Sequence, residues 1–167
     1  MFSFKTGGDR EENYRLMVEA ADEFIKDEHD LIALLSNLSA LIKVYADDIN
    51  WAGFYLLKEK ELVLGPFQGF PACTRIAEGK GVCGKAVLEG KAIAVADVRR
   101  FPGHIACDAS SVSELVLPFF RAGKVYGVLD LDSPLLNRFG ELETEYFGKI
   151  AALLTIFLDT SLPNFLP

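Results

Sequence analysis

Hydrophobic and polar positions divide the chain into helical and strand-like stretches. Tyr14, Met17, Val18, Ala21, Phe24 and Ile25 recur at helical spacing, which predicts a helix over about residues 10–27. Leu31, Leu34, Leu35, Leu38, Leu41, Ile42 and Tyr45 form a second apolar stripe, with Asp30 placed to cap it. The period then changes. Trp51-Ala52-Gly53-Phe54-Tyr55-Leu56-Leu57 is short, aromatic and aliphatic, and reads as a strand. The polar turn Lys58-Glu59-Lys60-Glu61 returns the chain through Leu62–Phe67, where Pro66 marks an edge or an end. Thr74-Arg75-Ile76 adds a short strand, and Val82 to Leu88 a short helix closed by Gly90. Ala92-Ile93-Ala94-Val95 reads as a short buried strand. Glu114–Phe120 and Lys124–Asp132 form a hairpin around Arg121-Ala122-Gly123. A closing helix over about 141–159 carries Leu142, Tyr146, Ile150, Leu153, Leu154, Phe157 and Leu158 on one side. Tight turns between consecutive strands, with helices at both ends of the chain, predict an α+β fold: a mostly antiparallel sheet with terminal helices packed on it. Residues 1–167 read as one domain, with 1–9 a loose lead-in.

Composition narrows the function classes. Half of the 167 residues are hydrophobic, enough for a sizeable core. A net charge of −7 argues against general nucleic-acid binding and against an anionic membrane surface, since both need clustered Lys and Arg. No signal peptide and no membrane-length apolar run is visible. Three cysteines, an odd number without a secretory signal, point to a reducing cytoplasm in which thiols serve reactivity, metal binding or packing.

The cysteines are the first candidates for chemistry. Cys73, Cys83 and Cys107 all stand beside Gly- or Pro-rich turns and outside the helical stripes. The reactive species of a cysteine is its thiolate, and a nearby positive group favours it. Cys107 lies in Phe101-Pro102-Gly103-His104-Ile105-Ala106-Cys107-Asp108, where His104 favours the thiolate and Asp108 opposes it. Packing as small buried hydrophobes is the bland alternative for each. Cys73, Cys83, His104 and Cys107 also make a four-ligand zinc set on paper, although no Cys-x-x-Cys knuckle supports it.

Carboxylates come next. Asp130 and Asp132 are two apart on a strand and so share a face, and Glu114 begins the neighbouring strand. Clustered acids raise at least one pKa by repulsion and desolvation, and a carboxyl kept protonated can serve as a general acid. A solvated acidic sheet end is the alternative. Trp51, Gly53 and Tyr55 share a strand face, so the glycine leaves a gap between two aromatic walls, either a core feature or a cage for a small apolar group.

Taken together, several motifs in order resemble the free methionine-(R)-sulfoxide reductases, a catalytic branch of the GAF domain fold. They are Asn50-Trp51-Ala52-Gly53-Phe54-Tyr55, Leu64-Gly65-Pro66-Phe67-Gln68-Gly69, Ala72-Cys73, Gly79-Lys80-Gly81-Val82-Cys83-Gly84, the 101–108 segment, Ser113-Glu114 and Gly127-Val128-Leu129-Asp130-Leu131-Asp132-Ser133. The resemblance covers roughly residues 30–155, and Val98-Arg99-Arg100 departs from it. It implies that Cys107 attacks the sulfoxide sulfur and becomes a sulfenic acid. Cys73, or failing it Cys83, then closes a disulfide that a thioredoxin-type reductant reopens. Glu114, Asp130 and Asp132 match acids that hold the sulfoxide oxygen and the polar end of the substrate, and Trp51 and Tyr55 match the wall around the S-methyl group. The resemblance requires no metal and no organic cofactor. GAF domains also include non-catalytic ligand sensors, which remain the alternative class. The long first helix and the apolar tail from Leu158 to Pro167 suggest a homodimer.

Overall fold

A computed structural model describes residues 5–103 and 109–160. Two helices come first, α1 (Arg10–Lys26) and α2 (Leu31–Tyr45). Their starts are set by side-chain caps: Asp9 accepts from the Glu12 N–H and Asp30 from the Ala33 N–H, satisfying donors that a helix start leaves open. Then follow β1 (Trp51–Lys58), β2 (Glu61–Gln68), β3 (Arg75–Ala77), α3 (Gly81–Glu89), β4 (Ile93–Val95), a single 3₁₀ turn at Val98–Arg100, β5 (Ser113–Arg121), β6 (Lys124–Ser133) and α4 (Glu141–Thr160). The strands form one sheet in the order β3-β2-β1-β6-β5-β4, antiparallel throughout. The α+β expectation therefore holds.

Two faces of that sheet decide the layout. On one, Ala52, Phe54, Leu115, Leu117, Phe119, Leu129 and Leu131 pack under α1, α2 and α4 and form the larger apolar cluster. On the other, Trp51, Tyr55, Val116 and Val128 pack against Val82, Cys83, Ala86 and Val87 of α3. The alternation of odd and even strand positions between the faces is the period-2 pleat made visible. β1 and β6 lie at the centre of the sheet, which places Asp130 and Asp132 on a buried strand rather than at a solvated end.

Several local expectations are refined. Ile93–Val95 is an edge strand and only half-buried, because β4 pairs on one side alone, with β5. Pro66 sits inside β2, beyond the three residues that pair with β3 and at the register shift against β1, where neither Gly65 nor Pro66 has a partner in the β1 register. Ala122 and Gly123 both adopt positive φ, 48° and 75°, as a two-residue hairpin turn between right-twisted strands requires. Gly90 closes α3 at φ 61°. Residues 5–9 are exposed and irregular up to the α1 cap, whereas 161–167, most of the apolar tail behind the dimer expectation, lie outside the described residues. None of the described helices is long and apolar enough to cross a membrane.

Candidate active site

The α3-side face of the sheet gathers most of the residues singled out above. Pairing across the three central strands aligns Trp51 with Asp132 and Asp132 with Glu114 in one row. The next row aligns Gly53 with Asp130 and Asp130 with Val116. Directly opposed residues in antiparallel strands share a face, so the sheet register itself brings the three acids together beside the aromatic pair.

Above the acids lies α3. Cys83 is 3% exposed, and its thiol donates to Glu114 Oε1 at 3.8 Å. This corrects the reading of Cys83 as a turn cysteine outside any helical stripe: it belongs to the buried stripe of α3, with Val82, Ala86 and Val87. Glu114 and Asp130 are each 6% exposed. Burial raises the pKa of Glu114 well above the ordinary carboxylate range, and the charges of Asp130 and Asp132 push the same way. Burial likewise pushes Asp130 up to about 7, against hydrogen bonds that favour its ionised form. The Cys83 thiol is raised by burial and by the same three acids, so it is held as S–H rather than as a nucleophile. Glu114, Asp130 and Cys83 thus form a buried set of groups whose protonated forms burial favours.

The aromatic wall stands beside this floor. Trp51 stacks on Phe67 at 5.3 Å between centroids and on Tyr55 at 5.9 Å. The space over Gly53 is not an open gap: a Cβ there would lie 2.3 Å from Phe67 Cβ and 2.7 Å from Trp51 Cη2. Glycine is required because the indole and Phe67 close over the strand. Phe67 is a member of the wall that sequence reasoning did not single out; its signal was its place opposite Gly53 in the β1–β2 hairpin. Trp51 Nε1 donates to the Phe70 carbonyl at 3.1 Å, and the Tyr55 hydroxyl donates to the Cys73 carbonyl at 3.0 Å. Both rings therefore tie the 69–74 loop, with Cys73, to the sheet. Cys73 is disulfide-bonded, whereas Cys83 is a free, buried thiol.

Cys107 and His104 lie outside the described residues, as does Asp108. The flanks of their segment are well held. The Val98 N–H bonds to the Val112 carbonyl, Phe101 packs against the α3-side cluster, and Asn50 Nδ2 donates to the hydroxyls of Ser110 and Ser111. Asn50 precedes Trp51 on β1, so the downstream flank is fastened beside the aromatic wall.

A GAF domain family profile matches residues 15–159. Protein YtsP of Bacillus subtilis is 51% identical over 152 residues, spanning 90% of this chain and 93% of the relative. The free methionine-R-sulfoxide reductase of Escherichia coli is 48% identical over 134 residues, 80% of this chain and 81% of the relative. The chain belongs to the free methionine-R-sulfoxide reductase branch of the GAF domain family. In fold, the free methionine-R-sulfoxide reductase of Neisseria meningitidis, solved in complex with its substrate, superposes with a TM-score of 0.91 at 40% identity over 96% of each chain. Membership and fold are thereby fixed.

Proposed function

We propose that the protein reduces free L-methionine-(R)-sulfoxide to methionine. The observation that carries this reading is the pair of buried acids Glu114 and Asp130, with half-buried Asp132 in register with Glu114, set beside the Trp51–Tyr55–Phe67 wall on one sheet face. A sulfoxide oxygen leaves sulfur only when it is protonated, and carboxyls held protonated by burial supply that proton. The acids suit the substrate ammonium, and the aromatic wall suits its S-methyl group. Relatives named for this activity at 46–48% identity support the same reading.

The reaction runs in three balanced steps. The Cys107 thiolate attacks the sulfoxide sulfur while Glu114 or Asp132 protonates the oxygen. The adduct carries a Cys107 sulfur–substrate sulfur bond and an S–OH group. The hydroxyl passes to the Cys107 sulfur as the S–O bond breaks. The sulfur–sulfur bond breaks with its electron pair returning to the substrate sulfur, and methionine leaves with Cys107 as a sulfenic acid. The Cys73 thiol then condenses with that sulfenic acid, forming a disulfide and releasing water. A dithiol reductant of the thioredoxin type, present in a reducing cytoplasm, reopens the disulfide by exchange. The disulfide-bonded state of Cys73, and its anchoring by Tyr55, favour Cys73 over the free and buried Cys83 as resolving residue.

A diastereomer-resolved assay with a dithiol reductant tests the reading. Turnover of the R form and not of the S form is expected, and absent or equal turnover overturns it. Cys107→Ser abolishes methionine release. Cys73→Ser retains one round of release and loses turnover with thioredoxin. Binding of the sulfoxide with no turnover by any reductant would instead mark a ligand sensor.

A further inference from the structure

The reaction above uses Cys107 and Cys73 and leaves the third cysteine without a part. Cys83 is nonetheless almost sealed, 3% exposed. Its Sγ, a Glu114 oxygen and an Asp130 oxygen all lie within 4.8 Å of one another, and all three residues are buried. The carboxyl of Asp130, on a residue 6% exposed, carries a second observation: its Oδ1 is inaccessible to solvent and accepts no hydrogen bond. A buried carboxylate oxygen left in this way is costly, so the site suits a cationic or proton-donating guest. We propose that Cys83, Glu114 and Asp130 form a three-ligand site for a thiophilic divalent cation of the zinc class, and that its occupancy excludes the sulfoxide.

The donor set selects the ion. One thiolate and two carboxylates suit a borderline-soft ion in a tetrahedral arrangement, whereas magnesium and calcium call for six or more oxygens. Zinc–sulfur and zinc–oxygen bonds of about 2.3 Å and 2.0–2.2 Å place tetrahedral S and O ligands about 3.5 Å apart. The 3.8 Å between Cys83 Sγ and Glu114 Oε1 needs only a few tenths of an ångström of adjustment. Three protein ligands leave a fourth position open. On binding, the metal replaces the Cys83 thiol proton, which leaves to solvent, and no electron is transferred. Asp132, next along the same face and half-buried, adds an anionic approach.

The ligands are rigidly carried: Glu114 and Asp130 are held by adjacent strands of the sheet, and Cys83 by α3 packed on them. The exclusion half of the proposal rests on the reductase reading, since it assigns Glu114 and Asp130 to the substrate as well; the binding half does not. It follows that free zinc would act as a reversible inhibitor through a cysteine that is not required for turnover.

Cobalt(II) titration of the full-length, fully reduced protein tests both halves. The probe is cobalt, whose thiolate complexes absorb by charge transfer, and the reference variant is Cys73→Ser/Cys107→Ser, in which Cys83 is the one thiol left. One equivalent of cobalt is expected to give the thiolate absorption in that variant, and zinc to bleach it. Adding Cys83→Ser should abolish the band. Asp130→Asn, which keeps the thiol, should weaken cobalt binding by at least the roughly 10–100-fold that loss of an outer-shell partner costs. Circular dichroism confirms that each variant is folded. No band in the double variant overturns the proposal. A band seen only when Cys73 and Cys107 are present does so too, and would assign the metal to the set Cys73, Cys83, His104 and Cys107. Methionine-(R)-sulfoxide, which the double variant cannot turn over, should displace cobalt competitively. A band indifferent to saturating sulfoxide overturns the exclusion, and wild-type turnover of the sulfoxide, measured separately, shows whether the reductase reading stands.

Discussion

At the scale of single residues, burial decides what each group can do. Two cysteines of similar sequence context end in opposite states: Cys73 is half-buried, disulfide-bonded and fastened through its carbonyl by Tyr55, whereas Cys83 is sealed under α3 against Glu114. Asp130 shows the electrostatic consequence. Its pKa is raised by burial from the ordinary 3.8 to about 7, so between those values the folded protein binds a proton that the unfolded chain has released. Stability from this group is therefore complete below about pH 4 and is lost as pH rises to about 7. Asp130→Asn removes that titration. The melting temperature of the variant relative to wild type should climb as pH is raised from 4 to 7 and then level off. The slope is bounded by about 1.4 kcal/mol per pH unit, which is about 3–6 °C for a chain of this size. Melting curves at several pH values check this; a pH-independent difference would show that Asp130 is ionised throughout.

At the scale of elements, close approach of strands and rings shapes the pocket. The register of β1 against β2 shifts between Gly53 and Tyr55, and Phe67, opposite Gly53, comes over the strand to stack on Trp51. Gly53→Ala forces a Cβ against Phe67 Cβ at 2.3 Å and into the Trp51 indole at 2.7 Å. Overpacking of this kind costs about 1–3 kcal/mol. A lowered urea midpoint and a raised KM for the sulfoxide are expected, because the displaced ring belongs to the proposed methyl wall. Unchanged KM would show that the wall does not touch substrate. The glycine and the two aromatics were legible in the sequence as a shared face, but the closure over Gly53 was not, since it depends on a residue from the next strand. The elements themselves were legible almost throughout: caps at Asp30 and Gly90 and the turn at Ala122-Gly123 are local chemistry. Ile93–Val95 was misjudged as buried, because an apolar run does not say whether a strand has one neighbour or two.

At the scale of the whole molecule, a buried polar clasp joins segments distant in sequence. Arg138 bonds to Glu143 Oε1 at 2.7 Å, to the Tyr14 hydroxyl at 2.8 Å and to the Asp47 carbonyl at 2.9 Å. It thereby links α1, the turn after α2 and the start of α4. Its backbone N–H reaches Ser113 Oγ at 3.3 Å, one residue before Glu114, so the clasp also borders the acid row. The guanidinium and the Glu143 carboxylate are 2% and 5% exposed. Removing Arg138 leaves the buried Glu143 carboxylate only the half-exposed Arg10 guanidinium at 3.5 Å as a cationic partner, and Arg138→Met should cost about 3–5 kcal/mol by urea unfolding. Arg138→Met/Glu143→Gln should recover part of that loss. A cost below about 1 kcal/mol for the single variant would show that the clasp is solvated. Nothing in the sequence pattern singled out this cluster, because its members are 124 and 129 residues apart in the pairs that matter.

Local forces, readable along the chain, set the helix and strand periods, the caps, the turns, the anionic charge and the ordered motifs that resemble one enzyme branch. Each depends on residues within a few positions of one another. The tertiary structure alone decided which residues meet. Strand order put β6 at the centre of the sheet and so turned Asp130 from a solvated acid into one that titrates near neutrality. Packing of α3 set Cys83 against Glu114, and the β1–β2 pairing closed Phe67 over Gly53. Desolvation and long-range contact depend on what surrounds a residue in space, and that surrounding exists only once the chain has folded.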